Sequence, residues 1–379
     1  FLAFFLLFFV TGCWNYQELN KYAIVTGMAI DEKNGNYEVS LLFTNGKKEN
    51  EDNNQIKIYS NEGKTIFEAI KKLSLTIPKE LYLSHLSLVI VSEDIAKKGI
   101  TPVLDYLLRD PQSHQNFYIV VSKDNKAKDI LSVINPLSDY PSQNISENIK
   151  INEKKQGRIT NASFNKFVSN ILKKGINPVI NSISLVGDKE GGTKKEMQEN
   201  SKADTYTILD TLGIFKNDKL IDWASVEESI GINMLLGNID NMYVEIPCED
   251  ENIVISINKF KVKNKISKNK IDVVINSNAS ISEVGCGINL ENIDNIKFIE
   301  RKGKEKMEEY ANKAIMKSKV LNTDIFGYGE MIYKKYPKYF KSLNSWDEKY
   351  NSLDIDVKVN LNLEDKGALE QTIGVLEYE

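Results

Sequence analysis

The chain opens on ten consecutive apolar residues, Phe1 to Val10 (FLAFFLLFFV), and turns at Thr11, Gly12 and Cys13 into a long polar sequence. A helix that crosses a bilayer needs about 20 apolar residues, whereas the core of an export signal needs about 7 to 15. The run therefore predicts an export signal and not a span. Five Phe in nine residues leave neither the polar face of an amphipathic helix nor the alternation of a half-buried strand. Neither Met nor a basic segment precedes Phe1, so the numbering is expected to begin inside the signal.

The order Val10-Thr11-Gly12-Cys13 resembles the bacterial lipobox, in which small residues let the peptidase reach the backbone and the cysteine thiol takes a diacylglycerol. Residues 1–12 then read as a truncated lipoprotein signal peptide, and Cys13 as the lipidated N-terminus of the mature chain. Each buried methylene is worth ~0.8 kcal/mol, so two or more acyl chains hold a protein on a membrane where one holds it only marginally. The body is expected on the outer face of a membrane, tethered at one end.

A length of 379 residues exceeds what one compact core usually serves, which predicts two domains or three. Lys+Arg 49 against Asp+Glu 53 gives a net charge of -4, and no basic block or aromatic-interleaved stripe stands out. Nucleic acid is therefore not an expected partner. Three cysteines occur. With Cys13 used by the lipid, Cys248 and Cys286 could face each other across a hairpin turning near Ser267. Two buried free thiols are the expectation, because Pro247 and Glu249 to Glu251 look set to break the ladder before Cys248.

The patterning predicts an α+β fold: two to three mixed α/β domains with largely antiparallel sheets covered by helices. Tyr22 to Ile30 and Tyr37 to Phe43 read as a hairpin turning at Asn34-Gly35. Capping boxes at Thr65 with Glu68 and at Ser225 with Glu228 open two helices. Thr101-Pro102 opens another, and Gly175 ends one that starts near Asn161. Residues 13–187 form the expected N-terminal α+β domain. Residues 188–204, DKEGGTKKEMQENSKAD, have almost nothing to bury and are expected to be a linker or mobile loop. Residues 205–379 form the expected C-terminal α+β domain, with 205–250 a candidate middle unit. Inside it, Ile253 to Val262 and Ile271 to Val284 read as a hairpin with one wet face. Glu300 to Val320 and Thr323 to Tyr336 read as helices, and Leu353 to Leu363 with Ala368 to Leu376 as a closing hairpin.

Nothing in the sequence asks for an enzyme. His85 and His114 are the two histidines, and neither pairs with Cys, His or Glu at metal-ligand spacing. No G-x-S-x-G, G-x-x-x-x-G-K-[ST] or H-E-x-x-H occurs. No catalytic residue, metal or cofactor is expected.

Several ordered blocks are similar to those of the Ger(x)C family of spore germination lipoproteins. They are Gly12-Cys13-Trp14 with Glu18-Leu19-Asn20, Ala23 to Asp31, Leu81 to His85, Gly213 to Leu220 within Asp210 to Trp223, Asp324 to Gly329, Tyr336-Pro337 and Trp346. Asn15, Tyr16 and Gln17 depart from the family's usual Asp and basic pair. The resemblance implies the non-catalytic C subunit of a nutrient germinant receptor, lipid-anchored on the outer surface of the spore inner membrane. It implies a membrane-embedded A subunit and a transporter-like B subunit as partners, in an assembly that senses nutrients and triggers ion and dipicolinate release. Direct nutrient binding by this subunit is not expected. Two rival classes are a lipid-anchored solute-binding protein, marked by a deep interdomain cleft with polar groups, and an anchored envelope hydrolase, marked by a carboxylate pair or metal cluster.

The stretch Thr323 to Gly329 is hardest to explain by local folding. With Thr323 or its neighbour as cap, Ile325, Tyr328, Ile332 and Tyr336 share a helical stripe. Gly327 and Gly329 would each cost about 1 kcal/mol inside that helix, so a close approach must compensate. In one reading the helix packs tightly on the C-terminal sheet. In the other, Asp324, Phe326, Gly327 and Gly329, with Trp346 nearby, form a docking surface for the membrane subunits.

Overall fold

A computed structural model describes residues 21–44, 57–135, 140–188 and 205–365. Cys13 with the expected signal before it, the stretch 189–204 and the expected strand Ala368 to Leu376 lie outside the described residues.

The first part of the chain builds around a buried strand ladder. β1 (Tyr22–Lys33) turns through Asn34 and Gly35, both at positive φ, into antiparallel β2 (Asn36–Phe43), as the Asn-Gly pair requires. β3 (Lys57–Gly63) adds outside β2 and leads into α1 (Ile66–Thr76), whose first turn is capped by Thr65. β4 (Glu80–Tyr82) and β5 (Leu88–Ser92) both run parallel to β1. After α2 (Glu93–Lys98) and α3 (Thr101–Arg109) comes β6 (Tyr118–Ser122), parallel to β5. Next follow α4 (Ala127–Leu131), α5 (Pro141–Asn152), α6 (Phe164–Leu172) and β7 (Val179–Val186), the last again parallel to its neighbour.

A parallel centre must be covered on both faces, and the alternation of side chains shows that it is. Met28, Ile30, Val89, Val91, Ile119 and Val121 join one core with α1, α2, α3 and α6. Their neighbours Ala29, Leu88, Ile90 and Val120 join a second core with α4 and α5.

The next strands do not leave this sheet. β8 (Tyr206–Ile208), β9 (Leu212–Lys216) and β10 (Lys219–Trp223) complete a ten-stranded mixed sheet of order β10-β9-β7-β6-β5-β1-β2-β3, with β4 on β1 and β8 on β7. Residues 205–223 thus pair with the N-terminal sheet, not with the unit that follows 204. The reason is visible in β9, which is apolar on both faces. Phe215 enters the first core, whereas Leu212 and Ile214 enter the core of the C-terminal half.

That half is built by α7 (Val226–Leu235), β11 (Asn241–Cys248), β12 (Glu251–Ile266), β13 (Lys270–Val284), α8 (Ile293–Val320), α9 (Tyr328–Lys335), α10 (Pro337–Lys341), α11 (Trp346–Asn351) and β14 (Asp354–Asp365). Its four-stranded sheet has the order β11-β12-β13-β14, antiparallel except for the parallel β13–β14 pair. α8 lies across the inner face, where Met307, Ala311 and Ile315 meet Ile255, Ile257 and Ile275 in one core.

Cys248 and Cys286 are joined in a disulfide with their Cα atoms 6.0 Å apart, which corrects the expectation of two free thiols. Pro247 does not break the ladder, because β11 is an edge strand, where an absent N–H removes no sheet bond. Pairing continues through Pro247 with Asn252 and Cys248 with Glu251, and Glu249 takes the turn at positive φ.

Candidate functional site

The residues singled out in the sequence meet at a seam between the two halves. α6 ends at Leu172, and Gly175 turns the chain at φ +72° before Ile176 and Asn177. This turn docks on the segment preceding α9. The Asn177 N–H donates to the Asp324 carbonyl at 2.7 Å, and the Glu330 N–H donates to the Gly175 carbonyl at 3.1 Å.

Asp324 organises its own side of the seam. Its Oδ1 accepts from the N–H groups of Gly327 at 2.9 Å and Tyr328 at 3.2 Å. Its Oδ2 accepts from the Gly329 N–H at 2.7 Å and from Trp346 Nε1 at 3.2 Å. The helix therefore starts at Tyr328, not Thr323, and its free N–H groups are satisfied by a carboxylate four residues upstream. Gly327 sits outside the helix, in the left-handed conformation at φ +72° that lets the chain fold back over Asp324. Burial pushes the Asp324 carboxyl up to about 7, against the pull of the four N–H donors.

The aromatic shell closes around this cap. Phe326 and Tyr328 have ring centroids 5.4 Å apart, and Trp346 stands 5.2 Å from Phe340. The Tyr350 hydroxyl meets Ser318 Oγ at 2.5 Å. Among the described residues the buried Tyr328 hydroxyl meets no hydrogen-bond partner, and burial raises its pKa.

The five residues of the expected docking surface are thus brought together, but they face inward. Asp324 is 1% exposed and Phe326 3%, while Trp346 is half-buried. The glycines do allow a close approach, though not to the C-terminal sheet. Gly329 abuts Gly175, and Gly327 abuts Ile176, both from the N-terminal half. Sequence reading marked Gly175 only as a helix stop; a glycine needed at both ends of one contact carries no local signal. Asp31 plays a similar capping part elsewhere, accepting from the N–H groups of Ala127 at 2.8 Å and Lys128 at 2.9 Å.

Beside the seam lies a cavity of about 190 Å³ reached by Lys166, Asn170, Asn177, Asn238 and Glu330. Burial pushes the Lys166 ammonium pKa down, and Lys173 approaches Glu330 at 3.7 Å. Among the described residues no three His, Cys, Asp or Glu side chains are grouped to hold a metal. His85 and His114 are exposed, the former 5.7 Å from the Tyr82 ring.

Residues 15–185 match the family model described as the spore germination protein N-terminal domain, and residues 210–367 match the one described as spore germination B3/GerAC like, C-terminal. The chain belongs to the Ger(x)C family of spore germination proteins. Among Ger(x)C relatives, it is 27% identical over 368 residues to spore germination protein KC of Bacillus subtilis (strain 168), covering 92% of this chain and 90% of that protein. It is 24% identical over 278 residues to spore germination protein B3 of the same strain, covering 70% of this chain and 68% of that protein. The crystal structure of the GerBC protein shares the fold, with a TM-score of 0.56 at 18% identity over 92% of this chain and 100% of that one.

Proposed function

We propose that this Ger(x)C protein is the non-catalytic, lipid-anchored subunit of a nutrient germinant receptor. It works on the outer face of the spore inner membrane through protein contacts with membrane-embedded A and B subunits. The observation that carries the reading is the succession of both family models along one chain, directly after a lipobox-like Val10 to Cys13. The Cys248–Cys286 disulfide supports it, since such bonds persist in exported proteins and are rare where thiols are kept reduced. Among the described residues no helix is long and apolar enough to cross a membrane, so a tether at Cys13 would have to supply the attachment.

The test is Cys13→Ser, followed by fractionation and by co-purification with the membrane subunits. The body should fold and leave the membrane fraction. A Ser variant that stays fully membrane-bound without those subunits would overturn the anchor.

A second reading, a lipid-anchored solute-binding protein, draws on the cavity beside the seam, where amides, Lys166 and Glu330 converge. Calorimetry of the chain with amino acids decides between them. Stoichiometric sub-micromolar binding favours the solute-binding reading, and none favours the receptor subunit.

A further inference from the structure

We propose that the outward face of β12, β13 and β14 is a contact for an anionic lipid surface, a second attachment that rests on the membrane tether proposed above.

β12 outruns its neighbour. Its pairing with β11 ends at Asn241 with Asn258, but it continues to Ile266 along β13 after a bulge in which Lys259 takes φ +55°. In this extension Val262 and Ile266 turn to the core, and Asn264 Nδ2 reaches Met331 Sδ at 3.9 Å. Lys261, Lys263 and Lys265 turn the other way and are exposed. Across the sheet they fall in rows, Lys261 with Asn276 and Asn360, Lys263 with Val274 and Lys358, and Lys265 with Asp272 and Asp356. Sequence reading found no basic stripe, although lysine recurs at every second position from 259 to 265. Strand geometry puts Lys261, Lys263 and Lys265, beyond the bulge at Lys259, on one face.

The four acids on this face gather on two of its lysines. Lys270 pairs with Asp272 at 3.0 Å, with Asp354 at 3.9 Å and closely with Asp356, and Lys259 pairs with Glu364 at 2.8 Å. Lys268 lies over the rings of Tyr336 and Tyr339. Among the described residues the side chains of Lys261, Lys263, Lys265 and Lys358 have neither an ion pair nor a hydrogen bond. On α8 five of the seven lysines, Lys302, Lys304, Lys306, Lys313 and Lys317, each meet a carboxylate.

Edge lysines can serve simply to discourage strand addition, which would account for those of β12. It does not account for Lys358, because the outer edge of β14 is guarded another way. Glu308 accepts from the Val359 N–H at 3.2 Å and Glu300 from the Leu363 N–H at 2.8 Å. Lys259, Lys261, Lys263, Lys265, Lys270 and Lys358 stand against Asp272, Asp354, Asp356 and Glu364, which leaves the face two positive charges in surplus. Neighbouring lysines of β12 are roughly 7 Å apart and Lys358 is roughly 10 Å from Lys263, two strands away, and a plane of negative charge relieves them together. The whole chain carries -4, so the attraction has to be local to this face and within a Debye length of the membrane.

The disulfide leaves Cys13 as the remaining thiol of the three cysteines. The chain from Cys13 onward, which holds every described element, can therefore be coupled at Cys13 to a maleimide lipid in vesicles, whether or not it is naturally acylated. Acetylation of individual lysines is then read by mass spectrometry. On vesicles with phosphatidylglycerol, Lys261, Lys263, Lys265 and Lys358 should react about tenfold more slowly than on pure phosphatidylcholine, while the exposed Lys79 and Lys174 keep their rates. Salt at about 0.5 M should abolish the difference. In the Lys261→Gln, Lys263→Gln, Lys265→Gln variant, Lys358 should regain its phosphatidylcholine rate. Equal rates on both vesicles, or equal slowing of Lys79 and Lys174, would overturn the proposal. So would slowing that appears only with the membrane subunits present, which would assign the face to a protein partner. Failure here leaves the tether standing, because natural acylation is tested separately by Cys13→Ser.

Discussion

Gly175 and Gly329 meet backbone to backbone: a β-carbon on either would lie 2.7 Å from the Cα of the other. Gly175→Ala and Gly329→Ala should each cost roughly 1 to 3 kcal/mol by overpacking, with Gly175→Ala carrying a further penalty for its positive φ. The melting temperature of the chain checks this. Either variant melting like the parent would show that the seam is not closed in solution.

Gly327→Leu tests the same seam from the other glycine. The left-handed backbone and Ile176 Cδ1, 3.0 Å from a built β-carbon, both resist a side chain. Melting should drop measurably in the chain alone, before any partner is added. Normal melting with loss of co-purification would instead return this residue to a partner surface.

Asp324→Asn replaces an acceptor for four N–H groups by one oxygen and an NH2 that must face donors. Leaving the Gly329 and Trp346 donors facing that NH2 costs about 1 to 3 kcal/mol, so a loss of roughly that size is expected, smallest near pH 8 where burial already penalises the charged carboxylate. Denaturant unfolding measures it, and an unchanged midpoint contradicts the capping role. Tryptophan fluorescence offers an independent readout, because Trp346 loses its acceptor.

Stability should also depend on pH through Asp324. Its carboxyl is raised from 3.8 to about 7, so the folded state holds the proton where the unfolded state has lost it. This stabilising contribution is full below about pH 4, declines as pH rises, and is gone above about 7, for a total of up to about 4 kcal/mol. Unfolding midpoints of parent and Asp324→Asn between pH 5 and 8 give the check. The parent should carry a downward slope that the variant lacks, after other titrations common to both are subtracted.

The Cys248–Cys286 bond spans 38 residues. Removing the constraint it places on the unfolded chain should cost roughly 3 to 4 kcal/mol. Unfolding with and without reductant measures the loss, and Cys286→Ser should show it without reductant and be insensitive to it. A midpoint indifferent to reductant in the parent would mean the bond is not formed.

Local chemistry was readable wherever a short stretch had to satisfy itself. Thr65 and Ser225 cap the helices they precede, since each side chain accepts from an N–H three residues ahead. Asn34-Gly35 makes its turn because both residues tolerate positive φ. The signals failed where the partner is distant. The N–H groups that open α9 are satisfied by the Asp324 carboxylate and not by Thr323, because the chain folds back at Gly327, a conformation that the seam with Ile176 holds in place.

From residue order alone follow the mixed α/β class, the helices opened at Thr65, Thr101 and Ser225, the hairpins at Asn34-Gly35 and between β12 and β13, and the resemblance to Ger(x)C proteins, together with the expectation of an export signal with a lipobox-like end. These depend on spacing and composition within reach of one or two turns of chain. Tertiary structure alone decided that β9 and β10 finish the N-terminal sheet, that Asp324 and Trp346 close an internal joint, that two cysteines meet, and that four lysines without ion pairs share one sheet face. Each of these depends on which distant segments are adjacent, and adjacency is set by the burial of whole faces at once, a property that no single stretch of the sequence carries.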